Sequence, residues 1–122
     1  MDNTTKLTHF AEHLQQADGL LITAGAGMGV DSGLPDFRGD QGFWKAYPPL
    51  KHLGKSFVDM ATPELFYTDP KLAWGFYGLR LNAYRAVEPH QGFHLLKKWS
   101  ETLPNLKNGS FVFTSNVDGE FQ

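Results

Sequence analysis

The stretch LLITAGAGMGVDSGLPDFRG, residues 20–39, joins a short apolar run to a loop that contains five glycines. The run from Leu20 to Thr23 lacks an alternation of apolar and polar residues, which is typical of a strand covered on both faces in a parallel sheet. A glycine-rich turn after such a strand lets backbone N–H groups approach an anion closely. The stretch therefore predicts an α/β fold with an anion-binding turn behind its first strand.

The composition favours one globular domain held together by packing alone. The chain has 122 residues, 41% of them hydrophobic, a formal net charge of -2 and no cysteine. Scattered basic residues give no reason to expect nucleic acid, and the lack of cysteine excludes disulfides and thiolate zinc sites within these residues. No apolar run approaches the roughly 20 residues of a membrane span and no secretory signal is evident, so we expect a cytoplasmic protein without a membrane partner.

Helical patterns surround the first strand. Residues 5–17 repeat apolar side chains at helical spacing and end at Asp18-Gly19. Residues 43–67 indicate short helices, with no helix across Pro48-Pro49 and with Thr62-Pro63 as a start signal. Asp69-Pro70 predicts the start of a helix to about Val87. The apolar face of that helix is predicted to carry Leu72, Phe76, Leu79, Ala83 and Ala86.

A further helix is expected from His90 to Trp99, before Pro104, and Phe111 to Thr114 repeats the pattern of the first strand. Two strands are fewer than a parallel sheet needs. Either further strands lie in residues 40–68, or the chain is the first part of a longer protein, and we favour the second. We predict a Rossmann-like parallel sheet with flanking helices, incomplete as it stands.

The glycine loop fits neither common nucleotide-binding motif. No Gly-Lys-Ser/Thr ends it, which excludes a P-loop, and Val30 stands where the dehydrogenase fingerprint needs its third glycine. The whole string GAGMGVDSGLPDFRG closely resembles the first signature of the sirtuin family, Gly-Ala-Gly-x-Ser-x-x-Ser-Gly-Ile-Pro-Asp-Phe-Arg. EPHQGFH is similar to the Pro-Asn-x-x-His helix start of that family, and TSNVDG to its Thr-Gln-Asn-Ile-Asp. Residues 1–122 thus resemble the N-terminal part of a sirtuin NAD-binding domain.

The resemblance implies NAD as the cofactor and assigns residues to it. The turn of Ala24, Gly25, Ala26 and Gly27 would lie against the diphosphate. A mobile loop with Asp36, Phe37 and Arg38 would order around the nicotinamide half, where Phe37 shields the reactive ribose carbon from water. The segment of Ser115, Asn116, Val117 and Asp118 would complete the cofactor site, with Asn116 and Asp118 as catalytic residues beside the nicotinamide ribose and carboxamide.

The resemblance also implies a reaction: an acyl-lysine of a protein or peptide gives its acyl group to ADP-ribose while nicotinamide leaves. Three hydrogen-bonding side chains of the family are missing, since Ala24, Gly29 and Ser115 replace its threonine, serine and glutamine. The catalytic histidine and the zinc-binding cysteines of the family would follow Gln122, so we expect a fragment that is inactive alone, with zinc only in a longer parent chain. An NAD hydrolase, an ADP-ribosyltransferase and a non-catalytic NAD-binding fragment stay open as alternatives.

Two pairs of histidines, His9/His13 and His90/His94, have the i, i+4 spacing of metal ligands on a helix. Without a third ligand nearby we interpret them as surface or structural residues and predict no metal site. The open edges of an incomplete sheet also suggest self-association.

Overall fold

The computed structural model describes residues 1–35 and 39–122. Helices and two short strands alternate as the α/β prediction requires. In chain order the elements of this part are α1 (Asn3–Gln16), β1 (Leu20–Ala24), a 3-10 helix (Ala26–Ser32), α2 (Asp40–Ala46), α3 (Pro48–His52), α4 (Phe57–Met60), α5 (Leu65–Thr68), α6 (Pro70–Ala86), α7 (Gln91–Thr102) and β2 (Ser110–Thr114).

The chain divides into two compact units that interleave along the sequence. The sheet unit comprises Met1–Gly25, Pro89–Asn116 and Phe121. The helical unit comprises Ala26–Glu88, Val117–Glu120 and Gln122. That residues 1–122 form one domain stays a prediction.

In the sheet unit, β1 and β2 pair in parallel, in register from Leu20 opposite Ser110 to Ala24 opposite Thr114. The predicted second strand and its parallel direction are confirmed. Because the two strands run in the same direction and are in register, their carboxyl ends lie side by side at Ala24 and Thr114.

The prediction that both faces of these strands are buried is wrong. Ile22 is buried, whereas Leu21, Phe111 and Phe113 are 66–69% exposed. Side chains alternate between the faces of a strand, and no described residue covers the face that carries these three. The apolar run of β1 therefore buries Ile22 on one face, with Leu20 and Ala24 half-buried beside it, and leaves the other face open.

The predicted first helix is confirmed as α1, which is capped where the Oδ1 atom of Asp2 accepts a hydrogen bond of 2.7 Å from the backbone of Thr5. Its apolar stripe is less buried than the pattern suggests, since Leu7 is 67% and Phe10 52% exposed. Phe10 packs its ring against Trp99 of α7, with 5.9 Å between the ring centroids. One aromatic contact thus joins the two helices of the sheet unit.

The helical unit confirms the prediction of short helices and contradicts further strands in residues 40–68, since α2 to α5 occupy that region. Pro48 begins α3, as its fixed φ allows. The predicted start at Thr62-Pro63 is two residues early, because α5 begins at Leu65 with Glu64 at its N-cap. The N–H groups of Leu65 and Phe66 bond to carbonyls three residues back, so the chain there forms a tighter turn before α5.

The longest helix, α6, starts where the sequence predicts. Asp69 is its N-cap and accepts a hydrogen bond of 3.1 Å from the N–H of Leu72. Its buried face contains Ala73 and Phe76. Leu79 and Ala86, assigned to that face, are exposed instead, because the contact with the core is narrower than the apolar stripe of the sequence.

The core of the helical unit is aromatic. Phe43 of α2 is fully buried and packs its ring against Tyr47, Phe57 and Phe76 at centroid distances of 5.3–6.0 Å. Met60 of α4 is also fully buried. These tilted and edge-on ring contacts connect α2, α4 and α6.

Candidate functional site

The carboxyl ends of β1 and β2 border a cleft of about 260 Å³ in the sheet unit. Its lining consists of Thr23, Ala24, Gly25, Phe113, Thr114 and Ser115. This is the edge where open parallel sheets bind ligands. Three of the predicted cofactor residues, Ala24, Gly25 and Ser115, line this cleft together.

A short hydrogen-bond network fixes the strand ends. The hydroxyl of Thr114 donates to the carbonyl of Ala24 at 2.8 Å and accepts from the N–H of Asn116 at 3.0 Å. The side-chain amide of Asn116 donates to the carbonyl of Gly25 at 2.7 Å. Asn116 therefore holds the start of the glycine loop in place, and its predicted catalytic role stays a prediction.

Four of the five glycines in the loop, at positions 25, 27, 29 and 33, have different surroundings. Gly33 has φ +100°, a conformation that side chains rarely adopt, and its N–H closes the 3-10 helix on the carbonyl of Val30. A Cβ at Gly29 would stand 3.0 Å from Leu34 and 3.1 Å from Glu120. At Gly25 and Gly27, by contrast, an added Cβ meets no atom of the described residues within 4 Å and φ is not positive. Within the described part of the chain, neither contacts nor backbone conformation account for glycine at these two positions.

Two carboxylates of the helical unit lie beside Gly29. Asp118 Oδ2 and Glu120 Oε2 are 3.4 and 3.1 Å from the position of a Cβ there, and Asp118 Oδ1 accepts from the N–H of Glu120 at 3.0 Å. Glu120 is 7% exposed, and neither of its carboxylate oxygens has a partner among the described residues. Sequence reasoning missed this burial, since a glutamate near the end of a polar turn is ordinarily exposed.

The remaining predicted residues are distributed as follows. Val117 is 73% exposed, and Ala26 and Gly27 begin the 3-10 helix. Asp36, Phe37 and Arg38 lie outside the described residues. Thr114, which the prediction omitted, ties both strands together, and its position as the last residue of β2 in TSNVDG was the available signal.

Arg80 of α6 lies among aromatic rings of the helical unit. Its guanidinium carbon is 5.4–5.7 Å from the ring centroids of Phe57, Phe76, Tyr77 and Tyr84, and both Nε and Nη2 donate to the hydroxyl of Tyr84. Such contacts stabilise a cation against ring faces. Burial raises the pKa of the nearby Tyr47 to about 12, while the charge of Arg80 acts in the opposite direction.

The histidines occupy structural and surface positions. His90 caps α7 by accepting from the N–H of Gly92 at 3.0 Å, while His9, His13 and His94 are exposed. The described residues contain no group of three or more His, Cys, Asp or Glu side chains that could hold a metal ion.

One detail of the second motif needs correction. Counted from Pro89, the spacing Pro-Asn-x-x-His reaches Phe93 and not His94. Phe93 is buried and packs its ring against His90 at 4.9 Å and Phe121 at 4.7 Å. Position 93 is therefore an aromatic core position of the sheet unit.

Comparison with known proteins identifies the family. The model of the Sir2 family matches residues 25–120, which include the glycine loop and the segment after β2. The chain belongs to the Sir2 family. The sirtuin resemblance of the three motifs is thereby confirmed.

Relatives and a solved structure agree with this membership. The chain is 36% identical over 114 residues to an NAD-dependent protein deacylase of Candida albicans, covering 93% of this chain and 34% of the relative. It is 35% identical over 112 residues to an NAD-dependent protein deacetylase of Saccharolobus solfataricus, covering 92% and 40%. A triple-mutant Sir2 homologue in complex with 2'-O-acetyl ADP ribose superposes with a TM-score of 0.66 at 26% identity, covering 99% of this chain and 42% of that one.

The predicted Rossmann-like α/β fold is confirmed by this likeness. The chain spans about a third to two fifths of the length of the curated relatives it matches. Within its described part, none of the helices has both the length and the apolar character that crossing a membrane requires.

Proposed function

We propose that this chain is the cofactor-binding part of an NAD-dependent protein lysine deacylase. The observation that carries the proposal is the open space above Gly25 and Gly27 directly after β1, where an added Cβ meets no atom of the described residues and φ is not positive. Glycine at these positions leaves room for the close approach of a ligand to the backbone. The relatives named as NAD-dependent deacylase and deacetylase supply the cofactor and the reaction class.

The backbone from Ala24 to Gly27 is the proposed contact of the NAD diphosphate. Bare N–H groups are suitable donors to phosphate oxygens, and no side chain at Gly25 or Gly27 prevents their approach. Asn116 holds the carbonyl of Gly25, so this part of the turn is pre-organised. Pre-organisation lowers the entropy lost on binding.

Ser115 and Asn116 follow β2 directly, and Ser115 lines the strand-end cleft. We assign both to the ribose next to nicotinamide, and Asp118 to the carboxamide. When bound, NAD supplies the ADP-ribosyl group that accepts the acyl group of lysine as nicotinamide leaves. The residues of this chain bind and orient the cofactor. Holding it in the reactive geometry lowers the entropy cost of the reaction.

Calorimetric titration of NAD tests the proposal. Gly27→Ala should weaken NAD binding at least tenfold, because a methyl group keeps the diphosphate from the backbone, and Gly25→Ala should do the same. Gly78→Ala in α6 is the matched control, since its Cβ also meets nothing within 4 Å and it lies outside the turn. All three variants should fold as the parent chain does by circular dichroism.

Unchanged NAD affinity in both turn variants would contradict the proposed contact between the diphosphate and the backbone at Gly25 and Gly27. The proposal would also fail if NAD did not bind to a folded parent chain at concentrations up to several millimolar.

A second candidate function rests on Ser115, which replaces the glutamine of the family in the strand-end cleft. A serine hydroxyl is too short to reach a ribose that a glutamine contacts directly, so a bridging water is needed. Such altered ribose contacts favour NAD hydrolysis or ADP-ribosyl transfer on the same fold. Ser115→Gln should tighten NAD binding severalfold by calorimetry, and an unchanged affinity would count against this ribose contact.

The substrate and setting of the protein are further parts of the proposal. We infer an acyl-lysine protein or peptide as the partner, since the relatives are protein deacylases. A cytoplasmic location and self-association through the sheet edges are proposed from the sequence alone. Cell fractionation and analytical ultracentrifugation test them, and a monomer at 100 μM or more would contradict the second.

A further inference from the structure

The turn that leads into β2 contains the dipeptide Asn108-Gly109, and both of its residues are exposed to solvent. The N–H of Gly109 donates to the carbonyl of Leu106 at 3.1 Å, and Gly109 has φ +72°. Asn108 is the one asparagine of the sequence that is followed by glycine, since the other asparagines are followed by Thr4, Ala83, Leu106 and Val117. Because glycine has no Cβ, the peptide nitrogen after Asn108 is sterically unshielded.

The fold does not restrain the side-chain amide of Asn108. The amides of Asn105 and Asn116 donate to the carbonyls of Gln15 and Gly25, each at 2.7 Å. Among the described residues, no comparable hydrogen bond holds the amide of Asn108. Its Cγ atom can therefore rotate toward the nitrogen of the next peptide bond, once the exposed hydrogen bond of that nitrogen opens. Opening of a single bond in a surface turn is a local fluctuation and leaves the rest of the fold intact.

We propose that Asn108-Gly109 is a site of spontaneous chemical modification, at which Asn108 is converted to aspartate and isoaspartate. The nitrogen of Gly109 loses its proton to hydroxide and bonds to Cγ of Asn108, while the side-chain nitrogen takes up a proton from water and leaves as ammonia. Water then opens the resulting succinimide ring. Its attack at Cγ gives aspartate, and its attack at the main-chain carbonyl carbon gives isoaspartate. The site is independent of the proposed NAD function.

The isoaspartate product changes the start of the strand pair. The N–H of Asn108 donates to the carbonyl of Asp18 at 2.7 Å, and the N–H of Leu20 donates to the carbonyl of Gly109 at 3.0 Å. These two bonds directly precede the pairing of Leu20 with Ser110. In isoaspartate the main chain runs through Cβ and Cγ and is longer by a carbon atom, so both bonds cannot keep their geometry. The amino ends of β1 and β2 are thereby loosened, at the end of the strands opposite the strand-end cleft.

Incubation of the folded chain in mildly alkaline buffer, followed by peptide mapping with mass spectrometry, tests the site. Replacement of the amide by a carboxylate raises the mass of the peptide, and fragmentation distinguishes isoaspartate from aspartate. The modified fraction at Asn108 should grow on the order of tenfold faster than at the other asparagines, because no side chain on the next residue hinders ring closure. Asp18-Gly19 and Asp118-Gly119 can isomerise only without a change of mass, so the mass increase is specific to asparagine.

Three variants separate the reaction from its consequence. Asn108→Ser removes the reactive amide and should abolish the mass increase, whereas Asn82→Ser, at an exposed position of α6, should leave its rate unchanged. In the purified isoaspartate form, the amide hydrogen of Leu20 should exchange with solvent roughly tenfold faster than in the parent chain. Asn108→Asp carries the same added charge with an unaltered main chain, and there the exchange rate of Leu20 should equal that of the parent.

The proposal is overturned if Asn108 stays intact in the folded chain while the same chain unfolded in urea is modified, because the turn would then protect the amide. Equal rates at Asn108 and at the other asparagines would also overturn it. An exchange rate of Leu20 in the isoaspartate form equal to that of the parent would contradict the loosening of the strand pair. Equal acceleration in the isoaspartate form and in Asn108→Asp would assign the effect to charge and contradict the role of the longer main chain.

Discussion

At the scale of single residues, the least expected feature is the buried carboxylate of Glu120. Both oxygens are buried without a described partner, beside Leu34 and the space above Gly29. Burying a polar group without a hydrogen bond costs free energy, and this cost falls on the folded state. Gly29 makes the arrangement possible. The serine that the family has at this position would place its Cβ 3.1 Å from Oε2 of Glu120.

Replacement of Glu120 should therefore stabilise the fold. Glu120→Leu keeps a similar volume, removes a carboxylate that has no partner among the described residues and should raise the free energy of unfolding by about 1 to 2 kcal/mol. Urea unfolding followed by circular dichroism measures the change. Glu88→Leu, at an exposed position, is the control and should change stability by less than about 0.5 kcal/mol. A loss of stability in Glu120→Leu would show that the carboxylate has a stabilising partner.

Tyr47 makes a prediction about alkaline pH. Burial raises the pKa of its hydroxyl from 10.0 to about 12, so the folded chain keeps a proton that the unfolded chain has lost in this interval. Stability is present in full below pH 10 and falls as the pH rises from 10 to about 12. In Tyr47→Phe this fall should be smaller, by on the order of 1 kcal/mol.

Urea midpoints measured between pH 9 and pH 12 test this expectation. Tyr67→Phe is the matched control, because Tyr67 is 88% exposed. Identical pH profiles of the parent and the Tyr47→Phe variant would refute the burial effect.

At the scale of elements, the predicted helix starts were correct where a side chain caps the helix. Asp69-Pro70 and the sequence before α7 have a capping side chain followed by an apolar pattern, and both helices begin there. The start of α5 was misplaced because Glu64 makes no side-chain cap and the chain enters the helix through a tighter turn. Local signals thus locate a helix start where a side chain fixes it, and elsewhere tertiary packing determines the boundary.

The Asp69 cap should be measurable as stability. Asp69→Ala removes the acceptor of the Leu72 N–H and should cost about 1 kcal/mol of unfolding free energy, while Asp69→Ser should cost little because serine also caps. Thermal unfolding of both variants gives the comparison. Equal losses in the two variants would mean that the carboxylate acts through charge and not as a cap.

At the scale of the whole molecule, the sequence predicted the parallel pair of strands better than the burial of the sheet, and the assignment of the site residues stays a prediction. Apolar runs identified β1 and β2, and motif order identified the strand ends. An apolar strand does not reveal whether a second layer covers it, so the exposure of Leu21, Phe111 and Phe113 was not predictable. The environment of Glu120 depends on long-range packing and was equally out of reach.

The glycine turn is where the structure adds most to the sequence motif. The motif assigned the diphosphate to residues 24–27, and the geometry adds that no contact among the described residues requires glycine at positions 25 and 27. Gly29 and Gly33, in the same string, do have such requirements. The proposed contact with the diphosphate therefore concerns two residues of the family motif, Gly25 and Gly27.

A crystal structure of the chain with ADP-ribose is the most direct test of that claim. The account predicts diphosphate oxygens within about 3.2 Å of backbone nitrogens in residues 24–27, with the ribose toward Ser115 and Asn116. Density for ADP-ribose at another surface, with this turn free, would contradict it.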